Sequence, residues 1–264
     1  MASALVLPAC TCSPRLPGLA GHRQPEFAQS FYESDPAKLS EALAGWLARS
    51  EPASGPVQAI VVPHAGHFYT GALIAKGLGA VRGRTYRRIV EISAVHHVSF
   101  SGAALPAEGG FDTPLGPLRV DEAAVGLLAQ YPHFARRAVA FDGEHALEVI
   151  HPFLRHLWPQ ASLVPLLVGN ADGPALEAIA RALRNVLDEE TLLVATTALT
   201  HFSPELAARA FPLGGGPEAI RARLADYEGP FISALLARDP IALEAAYRDR
   251  EMAPILLMVE LETM

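Results

Sequence analysis

Histidine stands at the end of each of three apolar runs in this chain. Val57–Val62 stops on Pro63-His64-Ala65-Gly66, Arg88–Val95 on His96-His97, and Leu192–Thr197 is followed by His201. Neutral imidazole is the commonest protein metal ligand. Two imidazoles with one carboxylate or thiolate make a three-point site that leaves coordination positions open for substrate or oxygen. A single histidine at a strand end is more often a loop residue or a satisfied polar group. Three on successive tips carry more weight, because sites in open α/β sheets form beyond the carboxyl ends of strands.

A second group of chemically capable residues lies in GEHALEVIHPF (143–153). On a helix, Glu144, His145 and Glu148 fall within one turn, and His145 and Glu148 are an i,i+3 pair. One reading is a histidine oriented by a carboxylate for acid–base work. The other is a solvated helix start whose acidic residues complement the dipole. His22, His67, His133 and His156 have no converging partners in sequence and read as surface or packing residues. His151 neighbours the cluster and is left open.

The elements that must hold these groups can be traced from periodicity. Ser34 or Asp35 caps a helix whose Leu39, Leu43, Trp46 and Leu47 share one face. Val57–Val62, Arg88–Val95, Ser162–Val168 and Leu192–Thr197 read as strands, and residues 70–81 and Pro174–Leu187 as helices. Residues 103–120 read as loop with short strands. Asp121 caps a helix running to about Tyr131, and Pro152 interrupts a helical stretch over Glu144–Trp158. The chain after 214–216 is helical. The strand runs are apolar without alternation, as when both faces are buried. Strands alternate with helices, which predicts a three-layer α/β/α sandwich around a mostly parallel or mixed sheet. Residues 1–27, rich in Pro, Gly and Ala, read as an irregular arm, and 28–264 as a single domain.

Composition narrows the function. Half of the 264 residues are hydrophobic, 19% are charged and the net charge is −7. This is a globular chain without the basic footprint of a nucleic-acid or membrane-surface binder. No run approaches the roughly 20 apolar residues of a membrane span. The only cysteines, Cys10 and Cys12, are too close to make good disulfide partners. A reducing, cytoplasmic setting is therefore expected.

Taken in order, VVPHAGHFYTG (61–71), SAVHH (93–97), FDTPLGPLRVD (111–121), EHALEVIHPF (144–153), VPLLVG (164–169) and TTALTHF (196–202) resemble the motifs of the Memo family. In bacteria that family includes protein B of the AmmeMemoRadiSam system. AQSFYESDPAKL (28–39) is similar to the family's N-terminal pattern, and the resemblance covers about residues 28–260. It implies a fold like that of class III extradiol dioxygenases. It also implies iron or copper held by two histidines and a cysteine, redox chemistry, and binding of a small molecule or a phosphopeptide. By position, His64 and His96 correspond to metal ligands, and His145 and His201 to the family's other site histidines.

The chain departs from this pattern in several places. Ala198 replaces an aspartate, Ile150 stands where Gln or His is common, and Arg250 stands where the ligand cysteine belongs. The metal set expected is therefore His64, His96 and Glu251, with Asp249, Cys10 or Cys12 as substitutes for the third. His145, His201 and Glu144 are the expected catalytic or supporting groups. Two functions follow: a non-haem Fe(II)- or copper-dependent oxidoreductase, or a binding protein that keeps the cleft without the chemistry. The family's last strands are not found before Met264, so a homodimer or a partner protein is expected to cover the exposed sheet edge.

Overall fold

The computed structural model describes residues 20–199 and 215–246. Nine strands form one mixed sheet: β1 (Ala20–Arg23), β2 (Ala59–Val62), β3 (Arg88–Ala94), β4 (Ala103–Leu105), β5 (Glu108–Phe111), β6 (Leu118–Val120), β7 (Phe134–Arg136), β8 (Ser162–Val168) and β9 (Thr191–Thr196). The order is β1-β5-β6-β8-β3-β9-β2, with β4 against the far half of β8 and β7 beside β4. From β6 through β8, β3 and β9 to β2 every pairing is parallel. The carboxyl ends of β2, β3, β8 and β9 therefore lie on one edge.

Eight α-helices are described: α1 (Pro36–Leu47), α2 (His67–Gly79), α3 (Glu122–Leu128), α4 (His145–Glu148), α5 (His151–Leu157), α6 (Gly173–Leu183), α7 (Gly216–Ala237) and α8 (Pro240–Ala246). The connection β2–α2–β3 and the connection β8–α6–β9 travel in opposite directions across the sheet. Right-handed crossovers then place α2 and α6 on opposite faces, giving the expected sandwich. α1, α2 and α5 pack together on the α2 face. Gly71 of α2 lies so close to Trp46 of α1 that an added Cβ would come within 2.6 Å of the indole. Gly77 likewise lets α2 settle on Val62 and Ile60.

Several sequence signals act as read. Asp35 caps α1 by accepting from Ala37 and Lys38 N–H, and Asp121 caps α3 through Ala124 N–H. Pro152 sits in the first turn of α5, so the helical stretch divides just before it. Two elements differ from expectation. Ala20–Arg23, placed in the irregular arm by composition, is an edge strand parallel to β5. Its pairing rests on backbone hydrogen bonds and on Arg23, which meets Glu26, Glu108 and Asp142, so it needs no apolar run. α2 begins at His67, three residues before the expected start, because His67 N–H is already bonded to Phe31 O at 2.7 Å.

Central strands β3, β8 and β9 are almost wholly buried, with core side chains such as Ile89, Ile92, Val164, Leu166 and Val194 at 0–1% exposure. That explains their unbroken apolar runs. Among the described residues no helix is long and apolar enough to cross a membrane.

Candidate metal centre

β9 runs between β2 and β3, and the register sets Val62, Thr196 and Ser93 in one row. Just beyond that row the chain delivers His64 from the β2 tip and His96 from the β3 tip. α4 brings His145 over the same edge. The imidazole ring centroids are 5.2 Å apart for His64–His96, 5.6 Å for His64–His145 and 4.5 Å for His96–His145. One ligand nitrogen from each ring lies within 4.8 Å of the other two, a group that could hold a metal ion.

The neighbours orient two of the rings. His64 Nδ1 lies 2.7 Å from Thr196 Oγ1. That hydroxyl donates in turn toward Ser93 Oγ at 3.0 Å or Ala146 O at 3.3 Å. With its proton on Ser93 or Ala146, the threonine oxygen is free to accept from His64 Nδ1–H. His96 Nδ1 is 2.8 Å from Glu144 Oε1, and the same carboxylate accepts from His96 N–H at 2.7 Å. A carboxylate acceptor makes His96 Nδ1 the donor. In both rings Nε2 is then the nitrogen suited to ligation, the arrangement by which proteins fix a metal-binding imidazole. His145 Nδ1 lies 3.5 Å from Glu144 Oε1, so one carboxylate serves two histidines.

Glu144 is buried, not the solvated helix start of the alternative sequence reading. Burial works against its charged form. The hydrogen bond and charge of His96, with the N–H groups of Ala146 and His96, outweigh it and hold the carboxyl below its ordinary range. A charge fixed there favours a cation among the rings.

Other sequence expectations fall out differently. Glu148 does not orient His145. Its carboxylate accepts from Glu26 N–H, Phe27 N–H and the Tyr32 hydroxyl, three donors against the one an imidazole would offer. Burial and the Glu148 charge push the Tyr32 phenol well above its usual range. His67, read as a surface or packing residue, is buried. It bonds Val149 O at 2.8 Å and packs on Tyr32, Trp46 and Phe153, and burial lowers its pKa. His97 is exposed, its ring 6.4 Å from that of His145. Ala198 is described, whereas His201, Asp249, Arg250, Glu251, Cys10 and Cys12 lie outside the described residues.

Sequence reasoning missed Thr196 and Ser93, which support His64, and the buried pair His151–Glu91 at 3.0 Å, which ties α5 to β3. Burial raises the Glu91 carboxyl while His151 opposes it. A polar residue in each of two apolar strands, Glu91 and Thr196, was the available signal. Nothing local names their partners, which are 60 and 132 residues away.

The chain is similar in sequence to several known proteins. "Protein MEMO1" of Danio rerio is 30% identical over 186 residues, covering 68% of this chain and 63% of that protein. "MEMO1 family protein" of Caldivirga maquilingensis is 29% identical over 199 residues, covering 69% and 70%. "Protein MEMO1" of Homo sapiens is 32% identical over 152 residues, covering 56% and 51%, so the alignment spans about half of the human protein. The model of the family described as "Memo-like protein" matches residues 23–263, a stretch that takes in every histidine of the cluster. The chain belongs to the Memo-like protein family.

Proposed function

We propose that this chain is a metal-dependent redox protein whose ion is held by His64, His96 and His145. The observation that carries this reading is the convergence of three ring nitrogens within 4.8 Å of one another. Thr196 and Glu144 set the tautomer of two of the rings, which supports it further. Imidazole suits iron, copper and zinc, and three protein ligands leave open positions. Bound there, Fe(II) or copper would supply one-electron chemistry and activation of oxygen. The protein's own part is to hold three neutral imidazoles in place, to balance the cation with the Glu144 carboxylate, and to keep the ring nitrogens partly buried. His201 and Glu251, which follow in the sequence, belong to the same proposal as a proton-transfer group and an additional ligand. The substrate would be a small molecule or a peptide.

The test is metal stoichiometry after anaerobic reconstitution with Fe(II) and, separately, with copper. Near one ion per chain is expected for the wild type, with large losses in His64→Ala, His96→Ala and His145→Ala. An unchanged stoichiometry in His145→Ala with a loss in Glu251→Ala would move the third ligand to Glu251. No uptake by the wild type would leave the cleft as a binding site for a small molecule, anion or peptide. Ala198, in place of the family's aspartate, and Arg250, in place of its ligand cysteine, favour that second reading.

A further inference from the structure

The three candidate ligands come from different kinds of element. His64 and His96 extend from β2 and β3, two strands of one sheet with β9 between them, and have Nδ1 partners at 2.7 and 2.8 Å. His145 sits at the start of a single helical turn, its Nδ1 3.5 Å from Glu144 Oε1. What surrounds its ring is aromatic. Phe31 lies 5.0 Å away and Phe27 5.8 Å, and the two phenyl rings pack edge-to-face at 5.1 Å.

Both phenylalanines belong to one tight loop, residues 26–32. Phe31 N–H bonds Phe27 O at 2.9 Å, and Gln29 N–H bonds Tyr32 O at 2.7 Å. Gln29 takes a left-handed φ of 74°, a conformation that persists in a residue other than glycine only when its surroundings impose it. Two ties impose it here. At one end Glu148, on the same helical turn as His145, accepts from Glu26 N–H at 2.9 Å, Phe27 N–H at 2.7 Å and Tyr32 Oη at 2.7 Å. At the other, Phe31 O accepts from His67 N–H, three residues after His64. Gly66 permits that approach, since an added Cβ would lie 3.2 Å from Phe31 O.

We propose that Glu148 is a positioning residue: it pins the 26–32 loop so that Phe27 and Phe31 hold the His145 imidazole toward His64 and His96. This inference rests on His145 being a ligand, but the loop's grip on the ring is a property of the protein without metal. The helical turn thus carries both the ring to be placed and the carboxylate that secures its holder. The loop then spans from α4, which presents His145, to the start of α2, three residues after His64.

The test uses the full chain with ring-labelled histidine, metal-free, followed by NMR, with His145→Gln to assign the His145 signals. Ring currents from two phenyl groups displace those signals in the wild type. Glu148→Gln keeps the side-chain volume but loses the charge, and is expected to remove more than half of that displacement while leaving the His96 signals in place. Tyr32→Phe, which removes one of the three donors to Glu148 and keeps both phenyl rings, is expected to move the His145 signals in the same direction and covers the case in which Glu148→Gln does not fold. Cobalt(II) titration is the second readout. Glu148→Gln should weaken affinity by about 10–100-fold, with a visible spectrum approaching that of His145→Ala. Unchanged His145 signals in both folded variants would overturn the inference, whatever the metal affinity. If those signals collapse as expected while the wild type takes up no cobalt, the loop's role stands and the metal reading fails.

Discussion

Thr196 and Glu144 divide the work of orienting the site at the scale of single residues. Thr196 sits between the tips that carry His64 and His96, with its hydroxyl 2.7 Å from His64 Nδ1. Replacing it by valine keeps its volume and removes the acceptor. Thr196→Val is expected to weaken cobalt(II) or copper binding by about 10-fold, within the range seen when a hydrogen-bond partner of a ligating histidine is lost. The cost to folding should be about 1–3 kcal/mol, that of leaving a buried polar group unpaired. Isothermal titration reads the first and urea denaturation the second. Because the substitution leaves all three imidazoles in place, unchanged affinity would mean that His64 does not need this hydroxyl.

At the scale of elements, α3 depends on a carboxylate with three partners. Asp121 caps the helix through Ala124 N–H, pairs with Arg88 of β3 at 2.8 Å and accepts from Ser162 of β8. Burial raises its pKa, but these contacts outweigh burial and hold it below the usual range. The stability it contributes is present above the unfolded aspartate pKa of about 3.9 and is lost as pH falls through the lower folded value. Asp121→Asn can still cap but loses the charge paired with Arg88, and is expected to cost about 1 kcal/mol at neutral pH. The gap from wild type should close below about pH 4, as read from urea midpoints across pH. Packing between α1 and α2 gives an independent test. Gly71→Val drives a side chain into the Trp46 indole, which an added Cβ would meet at 2.6 Å. It should destabilise by about 1–3 kcal/mol, with a matching fall in melting temperature.

Across the whole molecule, the site joins β2, β3 and α4, which come from distant parts of the chain. A metal bound only by the folded state should therefore report on global stability. At a free metal concentration 100 times Kd the gain is about 2.7 kcal/mol. That raises Tm by roughly 5–10 °C for a chain of this size. Calorimetry with and without cobalt(II) should show the rise in the wild type and not in His64→Ala. The pair Glu91–His151, at 0% and 1% side-chain exposure, anchors α5 to the centre of the sheet. His151→Leu would strand a buried carboxyl and should cost about 3–5 kcal/mol, whereas adding Glu91→Leu should restore most of that loss.

The sequence by itself determined the layering and the ends of the strands. Apolar runs without alternation name buried strands, and Pro63, Asp35, Asp121 and Pro152 mark where elements start and stop, because these effects act within a few residues. It also placed His64, His96 and His145 among the site histidines, through the ordered motifs that resemble the Memo family. Only the tertiary structure decided which groups meet. Strand order is not written in periodicity, and it is the insertion of β9 between β2 and β3 that puts Thr196 beside His64. Nor does helical spacing choose a partner. Glu148 lies three residues from His145, yet it turns to three donors of the 26–32 loop, while Glu144 takes His96 from 48 residues away. A buried carboxylate goes where the most donors can reach it, and that count exists only once the chain has folded.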